Sequence, residues 1–227
     1  MKAKAIFLGT IILFSTLALQ GQVKFGIHGG VNFQNINGKD DTGTKFDNGL
    51  MVGFHGGFNA SVPIAPDFYF QPGLMYSMKG SNNDFGQIIV KASGDFTTIT
   101  KLSYIEMPLN LLFRPQFSKG HILLGFGPYL AYGVGGSQNT SIGIFSLNQK
   151  VKFKNNVTSE DDQVNNAYYR PFDAGANIFC GYEMSIGLYL QLEAQLGLLK
   201  INPDYEGTTS DEIKRNTGFG VTAGFRF

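Results

Sequence analysis

The sequence predicts an all-β chain folded as an eight-stranded antiparallel transmembrane barrel of up-and-down topology. Three observations carry that expectation. Apolar and polar residues alternate with a period of two through eight separate stretches. The connections between those stretches run long, short, long, short, long, short, long. Charge is scarce: charged residues make up 15% of the chain, against about 25% in average globular proteins, beside 30 Gly, 21 Phe and no Trp. Such a balance suits a protein whose outside need not face water. It does not suit a disordered chain, and the near-neutral total leaves no footprint for nucleic acid.

Lys2 and Lys4 open the chain, and an apolar run from Ala5 to Leu19 follows. That run is short for a spanning helix, which needs about 20 apolar residues, and reads as a leader. Residues 1–21 are therefore expected to be a signal peptide cleaved near Gly21–Gln22, and 22–227 the barrel. No Cys lies near the cleavage point, which argues against a lipid anchor. The single Cys, Cys180, can form no intrachain disulfide and falls on the apolar face of its strand.

Taken in order, the first predicted strand is Val23 to Phe33, with Val23, Phe25, Ile27, Val31 and Phe33 opposite Lys24, His28 and Asn32. A polar loop to about Asn48 leads to the second, Gly49 to Val62, which sets Leu50, Val52, Phe54 and Phe58 against Met51, His55 and Asn59. Pro63 to Asp67, with two prolines, predicts a tight turn. The third strand, Phe68 to Met78, alternates Phe68, Phe70, Leu74 and Tyr76 with Tyr69, Gln71 and Ser77. A polar connection is expected from Lys79 to about Thr97. Its β-prone stretch Gln87 to Lys101 predicts that the flanking strands run past the membrane as a hairpin. The fourth strand, Leu102 to Arg114, places Ile105, Met107, Leu109, Leu111 and Phe113 opposite Tyr104, Glu106, Asn110 and Arg114.

After a short turn, Pro115 to Gly120, the fifth strand spans His121 to Val134 and alternates least clearly, with Gly125, Gly127 and Pro128 inside it. The longest loop is expected from Gly135 to about Pro171. Weak alternation in its Ser141 to Lys154 stretch leaves ten strands as a minor alternative. The sixth strand, Phe172 to Met184, separates Ala174, Ile178, Cys180 and Tyr182 from Asp173, Asn177, Phe179 and Glu183. Ser185 to Gly187 makes the shortest turn. The seventh is the clearest: Leu188, Leu190, Leu192, Leu196 and Leu198 against Tyr189, Gln191, Glu193 and Gln195. A polar loop, Lys200 to Asn216, leads to the last strand, Thr217 to Phe227, where Phe219, Val221, Ala223, Phe225 and Phe227 alternate with Gly, Thr and Arg226.

Alternation alone does not say which face looks outward. The polar faces hold Gly, Ser and Asn with charges of both signs, which suits the narrow interior of an eight-stranded barrel. The aromatics fall into two sets. Phe25, Phe58, Phe68, Phe70, Phe113, Phe225 and Phe227 lie towards the short turns; Phe33, Tyr76, Tyr132, Phe172 and Phe219 lie towards the long loops. Membrane interfaces select two such girdles. A closed barrel also satisfies every backbone polar group in lipid without a helix. The apolar face is expected to meet lipid, with both termini on the periplasmic side.

The ending T-G-F-G-V-T-A-G-F-R-F resembles the terminal targeting strand of bacterial outer-membrane barrels. Together with G-I-H-G-G-V-N-F near the start and Y-I-E-M-P-L-N-L-L-F, which carries Tyr104, Glu106 and Pro108, it resembles the PorT-like outer-membrane β-barrel domain family of the Bacteroidota. The resemblance implies the outer membrane of a Gram-negative cell. It further implies outer-membrane lipid as surroundings, and barrel-assembly machinery that recognises the C-terminal strand through Phe225 and Phe227. Some members are tied to type IX secretion and gliding, which implies other envelope or secretion proteins as partners.

The candidate residues lie on the polar faces. Glu106, Asp173, Glu183 and Glu193 need cationic partners there, and Lys24, Arg114 and Arg226 are available. Glu106 and Arg114 are too far apart on one strand to pair, so partners must come from across strands. A packed polar plug is expected rather than an ion path. His28 and His55 face inward on neighbouring strands, but no third ligand follows, so no metal is expected. Ser77 has no evident base, and no nucleotide or zinc motif is present, so neither catalysis nor a cofactor is expected. In the longest loop, Glu160, Asp161 and Asp162 are expected to be solvated, and Tyr168, Tyr169 and Arg170 to add to a recognition surface. The expected function is a non-catalytic scaffold displaying its loops, an accessory to secretion or adhesion. The alternatives are an outer-membrane lipid-modifying enzyme and a soluble lipocalin-like carrier with its apolar face inside.

Overall fold

A computed structural model describes residues 23–46, 48–84, 96–208 and 211–227. The expected leader, 1–21, and most of the predicted hairpin tip, 87–95, lie outside the described residues. Among those residues, eight strands form a ring: β1 (Lys24–Lys39), β2 (Met51–Ala65), β3 (Phe68–Asp84), β4 (Phe96–Phe113), β5 (Gly120–Ile142), β6 (Phe172–Glu183), β7 (Leu188–Gly197) and β8 (Ile213–Arg226). Each pairs antiparallel with the next in sequence. β8 then pairs with β1, from Gly26–Arg226 to Lys39–Ile213, and closes the cylinder. Closure leaves the ring no free edge, which is the condition for a sheet to sit in hydrocarbon.

The apolar face looks outward. Leu192 is 60% exposed and Phe126 59%, whereas the inward Leu112, Leu123, Tyr129 and Tyr189 are at 0%. A soluble carrier needs the reverse, so that alternative does not fit. At the rim of the short turns the Phe68 and Phe113 rings pack 4.7 Å apart; at the loop rim Phe33 stacks on Phe219 at 5.1 Å. Both are cross-strand pairs holding a girdle together. Cys180 is exposed on this outer face.

Several boundaries differ from the sequence reading, most of them for one reason. On the loop side the ladder outlasts the hydrophobic period: β1 runs to Lys39 and β5 to Ile142, while β3, to Asp84, and β4, from Phe96, extend past the girdle as the β-prone stretch between them predicts. Beyond the girdle most outward positions turn polar while the backbone stays paired, as at Asn35–Thr217 and Asn37–Arg215. Lys79 thus belongs to a strand, not to the connection. On the other side, β2 continues to Ala65, so the turn shrinks to Pro66–Asp67, with Asp67 at φ 63°.

The ten-strand alternative fails. Its extra stretch folds back at Gly143 (φ 58°) as a strand, Phe145–Phe153, that pairs with Ser137–Ile142 of β5 and then runs parallel to Asn166–Tyr169. Below Gly133 that edge of β5 is occupied by β6, from Phe172–Tyr132 to Glu183–His121. Phe145–Phe153 therefore stands above the ring and does not cross.

Candidate functional site

The interior is layered. At the turn rim, Arg114 directly after β4, Glu183 at the end of β6 and Arg226 at the end of β8 all hold inward register. Arg114 Nε donates to Glu183 Oε2 at 3.0 Å, and Arg226 Nη1 lies 3.3 Å from the same oxygen. The two guanidiniums sit over the Tyr69 and Tyr189 rings at 5.9 and 5.6 Å. Above them, Leu112, Leu123, Phe179 and Tyr189 form an apolar layer. Gly125 belongs here because a Cβ in its place would lie 2.1 Å from the Phe179 ring, and Gly133 higher up makes the same room for Phe153. β5 alternates poorly because its inward positions are filled by neighbours' aromatic rings.

Next comes a polar cavity of about 60 Å³, lined by His28, Gln71, Ser77, Asn110, Gln191 and Thr222 among others. That is room for a water or two, not for a small-molecule ligand. His55 Nε2 bonds Thr222 Oγ1 at 2.8 Å while its Nδ1 lies 3.6 Å from Glu193; His28 Nδ1 meets Asn59 Nδ2 at 3.2 Å. The two imidazoles are thus held by the wall, with their rings tilted against each other at 6.2 Å. Among the described residues no group of three or more His, Cys, Asp or Glu is placed to hold a metal.

The central feature is one the sequence reading missed. Lys79 of β3 places its Nζ 2.8 Å from Glu106 Oε2 and 3.3 Å from Asp173 Oδ2, and 4.1 Å above the Tyr129 ring. Gln195 donates to the other Glu106 oxygen at 2.6 Å, and Asn216 to Asp173 at 2.9 Å. Lys24, offered by the sequence as a cation for these carboxylates, is instead exposed and takes part in none of the ion pairs among the described residues. The signal for Lys79 was present: it continues the inward parity of Tyr69, Gln71 and Ser77. The sequence reading stopped the strand one residue short of it.

Over this network sits an apolar plug. Ile36, Leu102, Tyr104, Tyr129 and Ala131 of the ring pack with Val151, Ala167, Tyr169 and Ile201 from the long connections. Layer upon layer, the lumen is filled. Reconstituted in a planar bilayer, the protein is expected to give no stepwise conductance; discrete openings would contradict the plug.

The longest connection is built, not merely solvated. Asp161 accepts from Lys154 Nζ at 2.6 Å and from the Thr158 amide at 2.8 Å; Asp162 accepts from the Val164 and Asn165 amides. Arg170 reaches Asp204 at 2.7 Å, tying this loop to the last one, where Asp204–Tyr205 pairs parallel with Asn156–Val157. Tyr168 and Tyr169, expected on the recognition surface, are buried. The Lys154 ammonium, followed by the Thr158 amide, holds the Asp161 carboxyl below its usual range. A depressed folded value means the stabilisation is present above the unfolded pKa, about 3.9, and is lost as pH falls through the lower folded one. Amide exchange protection at Asp161, whose N–H bonds Thr158 O, is therefore expected to be flat from neutrality down to about pH 4 and to drop below it.

A closed ring with an oily outside and a self-neutralising, packed inside defines an integral transmembrane β-barrel. Residues 18–202 match the outer membrane protein beta-barrel domain family, and the chain belongs to that family. It is an integral outer-membrane protein. Comparison with curated proteins gives no match. Among solved structures the chain is similar to Ail, the attachment invasion locus protein of Yersinia pestis, at 11% identity over 91% of this chain and 100% of that one, with a TM-score of 0.38. It is also similar to a major outer membrane protein from Thermus thermophilus, at 11% identity over 91% and 100%, with a TM-score of 0.44. Neither likeness bears on function.

Proposed function

We propose that the protein is a non-catalytic outer-membrane scaffold whose working surface is the structured platform of long connections, with those connections outside the cell and both termini periplasmic. One observation carries this reading: among the described residues the lumen is packed apart from one small polar cavity, so the large surface outside lipid and free to meet a partner is the platform. The likeness of the Tyr104–Phe113 stretch to PorT-like barrels of the Bacteroidota supports an accessory role in secretion or adhesion, with other envelope proteins as partners. Assembly is proposed to proceed through recognition of the β8 strand, with Phe225 and Phe227 as its apolar signal.

Surface labelling tests the orientation. A cysteine placed at Ser146, in a Cys180→Ala background, is expected to react with an impermeant maleimide on intact cells; protection there with labelling only after lysis would invert the reading. For the catalytic alternative, the lipid profile of a deletion strain is expected to be unchanged, and a lost lipid modification restored by complementation would replace the scaffold with an enzyme.

A further inference from the structure

The outer wall changes character just past the loop-rim aromatics. Outward positions of β4 read Phe113, Leu111, Leu109, Met107, Ile105, Ser103 and then Lys101. Tyr76 reaches up from the girdle to place its hydroxyl 2.7 Å from Ser103 Oγ, which marks the level where the wall leaves hydrocarbon. Lys101 is the next outward position. It stands opposite Ser137 of β5, and Ser137 stands opposite Lys150 of the Phe145–Phe153 strand. Lys152 follows two residues on. The alternate residues of that strand, Val151 and Phe153, pack into the plug, so the lysines look away from the barrel axis.

Lys101, Lys150 and Lys152 are all exposed. Among the described residues, no carboxylate lies within ion-pair distance of them; Lys154, the next outward lysine, is taken by Asp161. Asp162 senses the field of Lys152 but turns its oxygens to Val164 and Asn165. Neighbouring strands lie about 4.8 Å apart, so the Lys101 and Lys150 backbones, two strands apart, are separated by roughly 10 Å. Three ammonium groups with no ion pair among the described residues are thus held at head-group height, on the side that faces the surrounding leaflet.

We propose that Lys101, Lys150 and Lys152 bind the phosphate groups of a phosphorylated glycolipid in the leaflet around the loop rim. The methylene stems lie along the apolar wall while the ammonium groups reach the phosphates, and in the low-dielectric interface such contacts are charge-assisted and strong. The rigid three-strand register sets the spacing, which a head group carrying two phosphates can bridge. Naming this the outer leaflet rests on the orientation proposed above; the site itself does not.

The test uses the purified protein in neutral detergent, titrated with bisphosphorylated lipid A or with the same lipid dephosphorylated, bound lipid being counted by native mass spectrometry. The wild type is expected to retain the phosphorylated lipid selectively. The triple variant Lys101→Gln, Lys150→Gln, Lys152→Gln is expected to bind it roughly tenfold or more weakly. Lys119→Gln, an exposed lysine at the turn rim, is expected to behave as wild type. Equal retention of both lipids, or a triple variant that binds like wild type, overturns the proposal. Heat-modifiable gel mobility reports whether the triple variant is folded. If it is not, raising salt on the wild type replaces it: release of the phosphorylated lipid is expected, and full retention overturns the site. Detergent binding is blind to which side the loops face, so this result and the cell-labelling result fail independently.

Discussion

Replacing Lys79 with methionine is expected to destabilise the barrel by about 3–5 kcal/mol, the largest loss from any single substitution considered. Glu106 is 1% exposed and Asp173 0%. Without the ammonium, two carboxylates share a site sealed above by the plug, with only a water-sized cavity below. Methionine keeps the stem, so the cost comes from stranded charge rather than from a void. By contrast, the solvent-facing Lys154–Asp161 pair contributes little, because water screens it. Equilibrium unfolding in denaturant, with the barrel in lipid vesicles, measures the difference. Adding Glu106→Gln and Asp173→Asn to Lys79→Met removes the stranded charges and is expected to recover most of the loss. A Lys79→Met midpoint equal to wild type would mean that the three groups do not share charge.

Glu183→Gln is expected to cost about 3 kcal/mol, the low end of the same range, because the turn rim lies nearer water. The substitution leaves Arg114 and Arg226 facing each other, both nearly buried, with no anion between them. The consequence is local as well as global. Arg226 lies opposite Gly26 at the β8–β1 seam, and the next step of that seam is a reciprocal pair of backbone bonds between Phe25 and Phe227. Repulsion at Arg226 is therefore expected to fray the closing strand, read as faster exchange of the Phe227 amide. Adding Arg226→Met to Glu183→Gln removes half of the unpaired charge and should slow that exchange again. Unchanged protection in the single variant would show that the seam does not depend on Glu183.

Much of this was legible in the linear order of residues, and the reason is dimensional. A strand in a barrel wall has lipid on one side and a narrow lumen on the other, so each residue from Leu188 to Leu198 declares its side by parity alone. The same parity put Asp173, Glu183 and Arg226 inside. Legibility failed where the wall left the membrane. There the outward face turned polar, the contrast vanished, and Lys79 and Asn216 were read as connection although their parity with Ser77 and Gly218 pointed inward. The Ser141–Lys154 stretch failed differently: its alternation is real, but it separates the plug from the surroundings above the ring rather than crossing.

By itself the amino-acid order gave the class and eight strands as the leading count, because those depend on period-two chemistry and on the lengths between turns; the oily exterior also needed the small polar faces and the two aromatic girdles. Tertiary structure alone decided which acid meets which base, that Lys79 rather than Lys24 neutralises Glu106 and Asp173, and that loop residues stopper the mouth. Shear and tilt bring residues of distant strands to one level around the axis, and no local pattern encodes that level.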